Sequence, residues 1–111
     1  SRSKLLLAKE FLDCYPEQDI SLAKLAEVAG LSQFHFIRQF KKYFGLAPHS
    51  YQIQARLKKA KTFLKLGIKP AQVSTDCGFY DQSHFIHHFK KALGTTPSRF
   101  QKQARIYNTN R

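Results

Sequence analysis

The sequence predicts an all-α fold: seven helices, arranged as two helix-turn-helix subdomains joined by a long linker helix. Three observations predict it. Apolar residues recur at three- and four-residue spacing, and period-two alternation is missing, so no strand is expected. Serine, aspartate or proline opens most of these stretches and glycine closes them, which are start and stop signals for helices. Finally, the chain aligns with itself: residues 32–52 match residues 81–101 at an offset of 49 without gaps, and ten of the 21 positions are identical. Chance would give roughly one or two, so one unit is used twice.

The elements follow in order. A leading helix over about residues 4–14 carries Leu5, Ala8, Phe11 and Leu12. Ser21 caps a second helix with a stripe of Leu22, Leu25, Ala26 and Ala29, and Gly30 ends it in the left-handed conformation glycine adopts cheaply. Ser32 caps a third, in which Phe36 and Phe40 lie one turn apart and face inward with His35 alongside; Gly45 stops it. From Pro48 to about Leu66 runs a longer helix with Ile53, Leu57, Ala60, Phe63 and Leu64 on its apolar side. Arg56, Lys58, Lys59, Lys61 and Lys65 cover the rest, and Gly67 is its stop. The second unit repeats the first: Pro70 in a first turn, Val73, Cys77, the Gly78 stop, the Asp81 cap, then Phe85, Phe89 and Gly94. A closing helix starts at Pro97. Upstream of residue 32 the offset falls to 48, pairing Ile20 with Ile68 and Gly30 with Gly78, so the second unit holds one extra residue before its later helix. The expected division is a first subdomain over 1–47, a linker over 48–66 and a second subdomain over 67–111. Cys14 and Cys77 fall on apolar faces, where small buried hydrophobes are the default.

Charge restricts the partners. The chain has 111 residues and a formal charge of +12. Residues 1–27 hold four basic and five acidic side chains; residues 28–111 hold fifteen basic ones against only Asp76 and Asp81. A field of that sign attracts a polyanion, and duplex nucleic acid is the commonest. The longest unbroken apolar stretch is the four residues 5–8, so nothing spans a bilayer. Two cysteines 63 positions apart form neither a disulfide framework nor a zinc spacing, which fits a reducing compartment. His84, His87 and His88 have a ligating spacing but no carboxylate or thiolate beside them, so no metal and no cofactor is expected. There is no Gly-rich phosphate loop, no paired carboxylates and no nucleophile with a base at readable spacing, so an enzyme is not expected.

A helix, a turn containing glycine and a second helix, repeated in a basic chain, is an arrangement for reading DNA, since the second helix fits the major groove. With Phe36 and Phe40 inward, Gln33, Phe34, Ile37, Arg38 and Lys41 share the opposite face; in the second copy it is Gln82, Ser83, Ile86, His87 and Lys90. Arg38 suits bidentate bonding to guanine, Gln33 and Gln82 suit adenine, and Phe34 and Ile37 suit thymine methyls. Ser83, Ile86 and His87 complete the expected base contacts. Lys41, Lys42, Lys90, Lys91, Arg56 and Arg99 are assigned to phosphates, with an interior ion pair as the alternative for Arg56. The alternative reading overall is a basic helical module that binds nucleic acid or anionic membrane without sequence preference.

The residues resemble the tandem helix-turn-helix DNA-binding domain of AraC/XylS-type transcriptional regulators over about residues 5–101. The carriers are Leu25-Ala26, Gly30-Leu31-Ser32, Arg38, Phe40-Lys41, Gly45, Pro48, Tyr51, Arg56-Leu57 and Ala60. The strongest run is Gly78-Phe79-Tyr80-Asp81-Gln82-Ser83-His84-Phe85, followed by Phe89-Lys90-Lys91, Gly94 and Pro97. The resemblance implies two recognition helices in successive major-groove segments of double-stranded DNA. It also implies transcription control in the bacterial cytoplasm, an effector-binding or dimerisation domain elsewhere in the chain, and activation through RNA polymerase. Methionine is absent and the chain starts at Ser1, so a domain cut from a longer regulator is expected. Ile37 and Ile86 stand where the family often has a small polar residue, His87 where arginine is common, and Ser74 where alanine is usual. These departures point to the first recognition helix as the main source of specificity.

Overall fold

The computed structural model describes residues 2–109, with side-chain surroundings through Arg105. Seven helices form: α1 (Arg2–Cys14), α2 (Leu22–Ala29), α3 (Gln33–Phe44), α4 (Pro48–Lys65), α5 (Pro70–Asp76), α6 (Gln82–Leu93) and α7 (Pro97–Thr109). No strand occurs among the described residues. The chain divides into two compact units, residues 1–55 and 56–111, and the division falls inside α4.

The local signals act where the sequence puts them. The Ser21 side chain accepts from the Lys24 backbone N–H at 3.1 Å and that of Ser32 from His35 N–H at 3.2 Å. Asp81 Oδ1 accepts from His84 N–H at 2.7 Å. Each bond satisfies one of the donors that a helix start leaves without an intrahelical partner. Gly30 closes α2 at φ +70°, and its N–H donates to the Glu27 carbonyl while Leu31 N–H donates to that of Ala26. A side chain at that φ would be strained, which is why glycine stands there.

In the first unit the buried cluster is Leu5, Ala8 and Leu12 of α1, Leu25, Ala26 and Ala29 of α2, and Phe36 and Phe40 of α3. Phe11, Ile20, Leu22, Leu31, Phe44 and Tyr51 pack against it. The Phe40 ring meets Phe36, Phe44 and Tyr51 at centroid distances of 5.6, 4.7 and 5.4 Å. In the second unit Leu57, Ala60, Leu64, Val73, Cys77, Phe79, Phe85 and Phe89 are buried. Phe85 meets Phe79 at 4.9 Å and Phe89 at 5.6 Å, and Phe89 meets Phe100 of α7 at 5.4 Å. Of the two cysteines, Cys77 is buried as expected. Cys14 is exposed: it closes α1, two residues past the buried Leu12, and that rotation about the helix axis turns it outward.

One glutamine does the same work in both units. The Gln52 side-chain amide on α4 donates to the carbonyls of Pro16 (3.3 Å) and Gln18 (2.9 Å), which lie between α1 and α2. The Gln101 amide on α7 donates to the carbonyls of Leu64 (3.0 Å) and Ile68 (2.7 Å), where α4 leads into α5. Backbone carbonyls that leave a helix need such a donor when water is shut out. The two glutamines are 49 residues apart, so the duplication extends to this bracing: α4 stands to unit 2 as α1 stands to unit 1.

Unit 1 also carries a three-member polar contact. Tyr51 donates its hydroxyl to Asp13 Oδ1 at 2.5 Å, and Lys9 Nζ bonds Asp13 Oδ2 at 2.9 Å. The hydrogen bond that Lys9 donates to Asp13 raises the Lys9 pKa above the ordinary 10.5. Burial, seconded by Asp13, raises Tyr51 above 10.0. Lys9 keeps its charge and Tyr51 its proton to higher pH when folded than when unfolded. Both contributions are therefore complete below the unfolded values and are lost as pH rises through the folded ones.

Gln52→Leu is expected to lower the stability of the chain by about 1–3 kcal/mol, because two inward carbonyls lose their donor. Leucine at the exposed neighbour Gln54 should change stability by less than about 0.5 kcal/mol. Urea unfolding of both variants gives the comparison. For the polar contact, wild-type stability should fall as pH rises beyond the ordinary tyrosine value of 10.0. Tyr51→Phe should show a shallower fall, measured by unfolding at a series of alkaline pH values. A wild type and a variant that fall in parallel would remove Tyr51 from the account.

Candidate nucleic-acid interface

Each candidate face is set by two phenylalanines. Phe36 and Phe40 of α3, and Phe85 and Phe89 of α6, are almost wholly buried, as their spacing predicts. Fixing one side of a helix in the interior turns the residues half a rotation away to the solvent. On α3 this exposes Gln33, Phe34, Arg38, Lys41 and Lys42, while Ile37 is half-buried. On α6 it exposes Gln82, Ser83, Ile86, His87, Lys90 and Lys91. Phe34 is 66% exposed, so it does not complete the interior.

None of Arg38, Lys41, Lys42, Lys90, Lys91 or Arg99 forms an ion pair among the described residues, unlike Lys9 with Asp13 and Lys24 with Glu27. The positive field of the reading faces is therefore not neutralised internally. Lys41 and Lys42 lie in the last turn of α3, and Lys90 and Lys91 in that of α6, where a helix also favours cations. Arg99 is exposed in the first turn of α7, its backbone N–H bonded to Thr96 Oγ1 at 3.2 Å. Arg56 differs from the other candidates. It is only 8% exposed and already has a partner within the chain, which favours the interior alternative over a phosphate contact.

The histidines separate the two copies. His35 was expected beside the core, yet it is exposed, with Nδ1 2.9 Å from the Ser32 hydroxyl. Its counterpart His84 is half-buried: its ring lies 5.7 Å from that of Phe79, and its Nε2 lies 3.1 Å from Nε2 of His88. The second copy sets the buried Phe79 ring against its histidine, where the first has Leu31 at the matching place in the turn. Among the described residues no three His, Cys, Asp or Glu side chains converge as metal ligands.

Two features of these faces are not evident from residue types alone. The Arg38 guanidinium carbon sits 5.5 Å from the centroid of the Phe34 ring, a cation–π pair one helical turn long. Tyr80 is 90% exposed immediately before the Asp81 cap. It is the residue that makes the second turn one longer than the first, and that length difference was the signal available for it.

Paired helices, each with a capped second helix that shows an unneutralised basic and polar face, define a tandem helix-turn-helix DNA-binding domain. Comparison with known proteins agrees. The family model described as a helix-turn-helix domain matches residues 25–103, and the chain belongs to that family, in its AraC type. A Bacillus subtilis relative named as the uncharacterised HTH-type transcriptional regulator YbfI is 37% identical over 73 residues, 66% of this chain and 26% of its own length. The chain thus spans about a quarter of that relative. Among solved structures, the DNA-binding domain of AdpA in complex with a target DNA superposes with a TM-score of 0.88 at 24% identity, covering 93% of this chain and 94% of that one. An AraC-type transcriptional regulator from Chromobacterium violaceum gives a TM-score of 0.83 at 28% identity over 93% of each chain. No helix among the described residues is long and apolar enough to cross a membrane.

Asp81→Ala is expected to cost about 0.5–2 kcal/mol and to fray the start of α6, because His84 N–H loses its acceptor. Asp81→Ser should recover most of the loss, since serine does the same work at residue 32. Thermal unfolding followed by circular dichroism compares the three proteins, and a serine variant as weak as the alanine one would count against the cap.

Proposed function

We propose that this domain binds double-stranded DNA sequence-specifically within a longer bacterial regulator of transcription, in the cytoplasm. The observation that carries the reading is the matched pair of faces on α3 and α6, each opposite two buried phenylalanines and neither paired with acid. Gln33, Phe34, Ile37 and Arg38 meet base edges from the first recognition helix; Gln82, Ser83, Ile86 and His87 do so from the second. Lys41, Lys42, Lys90, Lys91 and Arg99 hold phosphates, which gives grip without sequence. Arg38 is the strongest reader, because a guanidinium matches guanine O6 and N7 with two parallel bonds. His87, at the equivalent place on α6, offers one ring nitrogen at a time, so the first helix supplies most of the choice. Successive major-groove segments for the two helices, an effector-binding or dimerisation domain and activation through RNA polymerase follow from the family resemblance.

Arg38→Ala should cost about 1–3 kcal/mol on a duplex selected from a random pool and relax preference at one base pair. Lys91→Ala should weaken all duplexes alike and reduce the salt slope of log affinity by about one. Fluorescence anisotropy at several salt concentrations measures both. Equal losses on selected and random DNA for Arg38→Ala would make it a phosphate contact. Displacement by random DNA as readily as by any selected duplex would leave binding without sequence preference.

A further inference from the structure

The two reading faces are built alike but furnished differently, and the difference concerns one contact. Residues 34 and 38 on α3 correspond to residues 83 and 87 on α6 at the offset of 49. On α3 these are Phe34 and Arg38, with the guanidinium carbon 5.5 Å from the ring centroid. On α6 they are Ser83 and His87, which form no such pair. The Phe34 ring also meets the His35 imidazole, at a centroid distance of 5.9 Å and a steep tilt, and His35 Nδ1 lies 2.9 Å from the Ser32 hydroxyl. Ser32, His35, Phe34 and Arg38 thus make a chain from the helix cap to the guanidinium.

A free arginine side chain has many rotamers to lose on binding. Stacking on an aromatic face removes part of that freedom in advance. When a guanidinium lies in the plane of a guanine and bonds O6 and N7, a ring stacked on it is displaced along the DNA axis. The guanidinium carbon lies 5.5 Å from the ring centroid, so a ring packed over the guanidinium lies outside the plane of the guanine it bonds, whose neighbour is one rise of about 3.4 Å away. Phe34 therefore arrives at the major-groove edge of the neighbouring base pair. The apolar group found on that edge is the C5-methyl of a pyrimidine.

We infer that Phe34 and Arg38 act as one reader of a two-base-pair step, guanine beside a C5-methylated pyrimidine, with Phe34 both positioning Arg38 and sensing the methyl group. The inference rests on the proposal that Arg38 reads guanine. It adds that the preference at the adjacent base pair is for a methyl group rather than for a hydrogen-bonding pattern.

The test uses the 111-residue chain and the duplex it selects from a random pool. Single thymines of that duplex are replaced by uracil, which removes only the methyl, and single guanines by 7-deazaguanine, which removes the N7 acceptor. For the wild type, uracil should weaken binding about four-fold at the one thymine next to the Arg38-dependent guanine, the worth of a single apolar carbon. Phe34→Ala should abolish that sensitivity and shrink the 7-deazaguanine penalty about two- to five-fold, the worth of an exposed cation–π pair. Phe34→Leu keeps an apolar contact without a π face, so it should retain the uracil effect and lose the same share of guanine preference. Because Phe34 is exposed, both variants should melt with the wild type. Uracil without effect at every thymine, or guanine and uracil penalties unchanged in Phe34→Ala, would overturn the inference. If Arg38→Ala alone still loses guanine preference in that case, base reading by Arg38 stands and the coupled step falls. If no preferred duplex emerges, both fall.

Discussion

Burial of two phenylalanines one helical turn apart is the constraint from which the rest of each unit follows. A buried aromatic ring contributes several kcal/mol, about 3–5 when judged by truncation to alanine. Two on one stripe therefore leave a helix no freedom to rotate about its axis. Phe36 and Phe40 fix α3 in this way, and Phe85 and Phe89 fix α6. The exposed faces depend on that rotation: a shift of one residue would bury Ile37 and Lys41 and turn Phe36 and Phe40 toward solvent.

The second element of order is the pair of glutamine amides. Gln52 and Gln101 tie the chain after α1 and after α4 to the helix that closes each unit. Their placement shows that the repeat is a four-helix module and that one helix, α4, takes part in both copies: it closes the first and opens the second. The alignment of residues 32–52 with 81–101, with Ile20 and Gly30 paired to Ile68 and Gly78 before it, captures all of that module but its first helix. That helix is obscured because α1 and α4 share little beyond small and apolar types at matching places, such as Leu12 and Ala60, 48 residues apart and both buried.

Much of the fold was legible because its signals are local. Seven helices, their serine, aspartate and proline starts and their glycine stops follow from capping chemistry and from apolar spacing, and the structure reproduces them within two residues. Features that depend on a neighbour distant in sequence were not legible. His35 and His84 occupy matching positions, yet one is exposed and the other half-buried against Phe79 and His88. Arg56 went to the interior and Cys14 to the surface for reasons of packing at a helix middle and a helix end. The reading faces themselves were legible from the phenylalanine stripe, apart from Ile37, which is half-buried. The stacking of Arg38 on Phe34 was not, because spacing of four permits contact without choosing it over solvent.

The separation of the buried stripe from the exposed face has a consequence for how such a domain changes over generations. Substitutions at Phe34, Arg38, Gln82, Ser83 or His87 touch no buried group, and exposed changes of that kind alter stability by less than about 0.5 kcal/mol. Preference for a binding sequence can therefore drift while the scaffold remains folded. Because the module is duplicated, one copy can keep its exposed face while that of the other changes. The aromatic–guanidinium pair on α3 and the serine–histidine pair on α6 are what such independent histories of two once-identical faces would leave behind.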